Sequence, residues 1–121
     1  MGSLLRLLLL LCLAISCINA NTALDNLQTG NDAYEAGNLR VAAAAYEKCL
    51  AADPTLHYCA INLASVLVDM QGDLKRAEEL YRMALKADPT DGDTAFNLAL
   101  LLQDRKTEAT TRECADLCEL P

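Results

Sequence analysis

The feature that most constrains this chain is an internal repeat. Sliding the sequence by 35 residues lays Gly37-Asn38-Leu39-Arg40 over Gly72-Asp73-Leu74-Lys75, and Ala52-Asp53-Pro54-Thr55 over Ala87-Asp88-Pro89-Thr90. Between these anchors Ala42 meets Ala77, Tyr46 meets Tyr81 and Leu50 meets Leu85, so nine of the 19 positions from 37 to 55 recur unchanged. The same shift carries Ala60-Ile61-Asn62-Leu63-Ala64 onto Ala95-Phe96-Asn97-Leu98-Ala99, Leu67 onto Leu102 and Asp69 onto Asp104. Two blocks in one register define a repeating structural unit, and a period of this length belongs to stacked arrays.

Each unit reads as two helices. Leu39, Ala42, Ala43, Tyr46, Cys49 and Leu50 recur at helical spacing, and Leu74, Ala77, Tyr81, Ala84 and Leu85 repeat the pattern. Gly37 and Gly72 stand where a first helix stops, since glycine tolerates the left-handed cap conformation. Asn38 and Asp73 then cap the second helices. Pro54 and Pro89 end them, because the residue before a proline is pushed out of the helical region. The pattern predicts helices near residues 23 to 36, 39 to 52, 57 to 71, 74 to 87 and 92 to 105. In the stretch 106–121, Ala109, Cys114, Ala115, Leu117, Cys118 and Leu120 form an apolar stripe, expected either as a degenerate sixth helix capping the last face or as a tail. The fold expected is all-α, a short α–α superhelix of five to six helices behind a signal-like N-terminal helix. A core rich in Ala and Leu, with no Trp and one Phe, suits closely approaching helices.

Residues 1–20 have the layout of a secretory leader. Arg6 precedes the unbroken apolar run from Leu7 to Ile15, and the segment ends in Ser16-Cys17-Ile18-Asn19-Ala20. Cleavage after Ala20 is expected, with an uncleaved anchor as the alternative; a membrane contact follows only in the second case. The expected location is outside the cell or in the secretory lumen. Removing Arg6 with the leader leaves nine basic against 17 acidic residues. That balance argues against a nucleic-acid partner, whose phosphates need clustered Lys and Arg.

With these positions in place, the chain resembles the tetratricopeptide repeat family over residues 23–105. Gly30, Gly37, Ala42, Tyr46 and Pro54 match one repeat of that family, and Gly72, Ala77, Tyr81, Ala84 and Pro89 match the next. Leu63-Ala64 and Leu98-Ala99 match its Leu-Gly/Ala pair. The repeats span 23–56, 57–91 and a degenerate 92–121. Between Leu63-Ala64 and Gly72 there is one residue more than the family pattern, which implies a longer helix or a wider turn. The resemblance implies a protein-binding scaffold or adaptor whose groove, lined by the first helix of each pair, takes a peptide or helix. It places Leu24, Leu27, Asn31 and Tyr34 in that groove from the first repeat. Tyr58, Ile61, Asn62 and Ser65 follow from the second, and Phe96, Asn97 and Leu100 from the third. Chaperone-binding members grip a terminal carboxylate with Lys and Arg, but Leu27, Asp93 and Asn97 stand at those places here. The other readings are a self-associating structural module, or a fragment of a larger repeat-containing enzyme such as a glycosyltransferase.

Four cysteines lie beyond the leader. Cys49 and Cys59, ten residues apart, either bond to each other or leave Cys49 as a small core residue in an alanine slot. Cys114 and Cys118 share a helical face and are a candidate disulfide, within the chain or between chains. His57 is the sole histidine, so neither a zinc set nor a Cys–His pair is evident. No Gly-rich phosphate loop is present, and the chain is expected to be neither an enzyme nor dependent on a cofactor.

Overall fold

The apolar stripes and turn residues resolve into five helices in the computed structural model, which describes residues 2–118, with side chains through Asp116. These are α1 (Gly2–Glu35), α2 (Leu39–Ala52), α3 (His57–Asp69), α4 (Leu74–Ala87) and α5 (Gly92–Cys118). All regular structure among the described residues is helical. The chain reverses at each short turn, so α1 packs on α2 and α3 on α4 as hairpins. The hairpins stack through α2 and α3, and α5 rests on α4 while touching α3.

Two helices run further than their sequence pattern suggests. The helix expected from residue 23 begins at Gly2, so leader and first repeat helix form one element of 34 residues, about 50 Å long at the usual rise. No Gly or Pro interrupts residues 3–29, and nothing else there breaks a helix. Its apolar N-terminal part is unburied and is long and apolar enough to cross a membrane. At the other end no turn follows Arg105. Residues 93–118 likewise lack Gly and Pro, and α5 continues to Cys118 with 106–116 exposed throughout. That stretch therefore does not fold back over the last hydrophobic face as a separate capping helix.

The two hairpin turns differ by one residue. Gly37 adopts φ 78°, its N–H bonds to the Tyr34 carbonyl at 2.9 Å, and the Asn38 N–H bonds to the Ala33 carbonyl at 2.8 Å. This pair of bonds closes a Schellman motif. In the second hairpin the left-handed residue is Gln71, at φ 50°, not Gly72. The bonds shift with it: Gln71 N–H to Val68 O at 3.0 Å and Gly72 N–H to Leu67 O at 2.9 Å. The additional residue is thus absorbed as a wider turn, and α3 stops at Asp69, short of the expected 71. Asn38 and Asp73 both cap their helices, accepting from the backbone N–H of Val41 and Arg76. Asp53 and Asp88 accept from the backbone N–H and hydroxyl of Thr55 and Thr90. These paired Asx turns explain why Asp-Pro-Thr recurs intact.

The main core is built around Tyr46 and Tyr81, each 2% exposed, with Ala42, Ala60, Leu63, Ala64, Ala77, Leu98 and Leu101. A smaller cluster joins Ala23 of α1 to Cys49 and Cys59, all three fully buried. Cys49 and Cys59 are disulfide-bonded, with Cα atoms 6.1 Å apart. The bond ties the end of α2 to the start of α3, and so one hairpin to the next. On the surface Arg76 of α4 pairs with both carboxylate oxygens of Glu47 on α2, at 2.8 and 2.7 Å.

Candidate functional site

Each tyrosine of the second helices reaches through its hairpin to a polar residue of the first. Tyr46 Oη donates to Asn31 Oδ1 at 2.8 Å, and Asn62 Nδ2 donates to the same oxygen at 3.2 Å. Tyr81 Oη and Ser65 Oγ are 3.0 Å apart, and because Ser65 donates to the Ile61 carbonyl, the tyrosine is the donor. Asn31 and Ser65 each follow a small buried residue, Gly30 or Ala64, and the Tyr46 ring packs over Gly30. Tyr34 Oη of α1 donates to Asp69 Oδ2 of α3 at 2.9 Å, bridging adjacent hairpins.

These bonds form the floor of two adjoining depressions. One, of about 300 Å³, is lined by Asn31, Tyr34, Glu35, Tyr46, Asn62 and Ser65. The other, of about 230 Å³, is lined by Tyr34, Ser65, Val68, Asp69, Tyr81, Asn97, Leu100, Leu101 and Asp104. Tyr34 and Ser65 belong to both, so the two make one groove across α1, α3 and α5.

The groove holds six of the residues expected there: Asn31, Tyr34, Asn62, Ser65, Asn97 and Leu100. Leu27 and Ile61 instead pack half-buried against the core. Leu24, Tyr58 and Phe96 are exposed, Phe96 by 64%, but line neither depression. Glu35, Tyr46, Val68, Asp69, Tyr81, Leu101 and Asp104 join the groove beyond the expected set. Tyr46 and Tyr81 stand on the apolar stripes of the second helices, and the acidic residues were assigned no role from sequence. A signal for the latter does exist: Glu35, Asp69 and Asp104 each stand five residues after Gly30, Ala64 and Ala99.

Electrostatically the groove is one-sided. Three carboxylates line it and no Lys, Arg or His does. The hydrogen bond to Asp69, then that residue's negative charge, raises the Tyr34 phenol above its ordinary pKa of 10.0. Burial raises Tyr46 and Tyr81. All three are neutral donors at ordinary pH, which suits a floor that fixes polar side chains and not one that moves protons.

A separate depression of about 330 Å³ lies between α2 and α4, lined by Leu50, Pro54, Arg76, Glu79, Leu80 and Met83. Of the remaining cysteines, Cys12, Cys17 and Cys114 are exposed and have no disulfide partner among the described residues. The Cys118 side chain, and with it the candidate bridge to Cys114, lies outside the described residues. No group of three or more His, Cys, Asp or Glu side chains among the described residues could hold a metal ion. No protein-family model matches the chain, and no curated protein aligns with it.

Proposed function

We propose that this chain is a tetratricopeptide-type protein-binding module of the secretory pathway, which takes a peptide segment in the groove across α1, α3 and α5. The observation that carries this reading is the groove itself, because side chains from successive hairpins converge on one surface at equivalent positions of the repeat. Repeat stacks offer such continuous surfaces to partners. The buried Cys49–Cys59 bond supports an oxidising compartment, where disulfides persist, and the apolar N-terminal part of α1 supplies the route there.

Capture experiments with the full chain test the groove. Asn97→Ala combined with Leu100→Ala removes contacts from it, whereas Met83→Lys alters the α2–α4 face. Partners lost on the first change and kept on the second support the assignment. Partners lost on Met83→Lys alone would transfer binding to the other face.

A further inference from the structure

We infer that the groove's occupant is an extended peptide segment with basic side chains about three residues apart; this rests on the groove being a peptide site and names what the site selects. The first ground is where the charges go. Arg76, Arg82 and Arg105 are committed to Glu47 and Glu78, away from the groove. Glu35, Asp69 and Asp104 are in no ion pair among the described residues, and Asp69 accepts only from the neutral Tyr34 hydroxyl, so no cation offsets their negative potential in this concave surface. Their equivalent placement makes this a ladder across the stack, one carboxylate for each first helix.

The second ground is the amide of Asn97. Asn62 donates to Asn31 across the hairpins. The equivalent Asn97, one unit further on, makes no side-chain hydrogen bond among the described residues and faces the groove. A helical ligand has its backbone groups paired internally and can meet this amide only through a side chain. An extended ligand presents free N–H and C=O groups to it. Spacing follows from geometry: packed helices lie about 8–10 Å apart, and an extended chain in the polyproline II conformation advances about 3.1 Å per residue with about three residues per turn, so every third side chain returns to one face and meets successive carboxylates.

The test measures fluorescence anisotropy with the full chain in non-ionic detergent micelles. Dye-labelled Gly-Ser peptides carry lysine, glutamine or glutamate at every third position. The lysine peptide should bind best, weaken as salt is added, and lose at least tenfold in affinity on Glu35→Lys with Asp104→Lys. Glu79→Lys with Glu113→Lys changes net charge equally outside the groove and should leave affinity within about twofold, as screened distant charges do. Equal losses in both double variants would overturn the inference by showing non-specific charge attraction. A glutamine peptide that binds as tightly as the lysine one, and is released by Asn97→Ala with Leu100→Ala, would keep the peptide groove and overturn its basic selectivity. Circular dichroism of each variant establishes that the helices are retained.

Discussion

Gly30 of α1 lies directly beneath the ring of Tyr46 on α2: a Cβ at position 30 would come within 2.6 Å of Tyr46 Cδ1. Two effects of Gly30→Ala oppose each other. Helix propensity favours alanine by about 1 kcal/mol. Overpacking a close-fitted contact costs about 1–3 kcal/mol. The ring is buried and hydrogen-bonded to Asn31 and cannot retreat freely, so the packing cost should win, with a net loss of about 1 kcal/mol in chemical denaturation. In Tyr46→Leu the same change should stabilise; a double-mutant cycle with no coupling would sink the account.

The second hairpin carries strain that the first avoids. Gln71 holds a left-handed conformation that Gly37 supplies at no steric cost. Gln71→Gly should raise stability by about 1 kcal/mol, the left-handed penalty on a side-chain-bearing residue less the entropy of glycine. Gly37→Ala should lower it by a similar amount. A lower thermal midpoint for Gln71→Gly would contradict this turn geometry.

Reducing the Cys49–Cys59 bond should cost about 2–4 kcal/mol, the usual range for a native disulfide. Replacing both residues with alanine preserves a small buried pair and removes the bond. The wild-type midpoint should fall on adding reductant to roughly that of the double variant, and the variant itself should not respond. A wild type indifferent to reductant would show that the bond contributes nothing to stability.

Alkaline pH should weaken the fold. Tyr34, Tyr46 and Tyr81 hold their protons more tightly when folded than the ordinary value of 10.0 implies. A raised folded pKa gives stability that is complete below about pH 10 and is lost as pH rises through the folded values. Melting curves followed by circular dichroism should show midpoints falling above pH 10, with tyrosinate absorbance rising in the same transition. Full ionisation of all tyrosines near pH 10, with an unchanged midpoint, is the contrary result.

The helices at 39–52 and 74–87 were legible to the residue because both ends carry chemical punctuation: Asn38 or Asp73 in front, Asp53-Pro54 or Asp88-Pro89 behind. The long helices were not, because α1 and α5 overrun their repeats where no Gly or Pro stops them. Spacing alone left Cys49 and Cys59 open, since whether two thiols meet depends on how one hairpin sits on the next. Six of the residues lining the groove are ones that the family resemblance assigns to it, and the helical period alone assigns none. Leu27 and Ile61 pack against the core because positions at the edge of a helical face divide between core and surface according to the crossing of neighbouring helices. Tyr46 and Tyr81 reach the groove from behind, which no one-helix pattern reveals.

The covalent tie between α2 and α3 divides the stack into parts of unequal persistence. From Ala23 to Asp69 the chain is closed by the Cys49–Cys59 bond and by bonds between successive hairpins. By contrast α5 is held by α4, a slight contact with α3 and the pairing of Arg105 with Glu78. Amide protons of α5 should therefore exchange with solvent through a cheaper, more local opening than those of α1 to α3. A ligand lying across both parts would bind the fraying wall to the locked one, and its arrival would be felt as slowed exchange in α5 before anything changed around the disulfide.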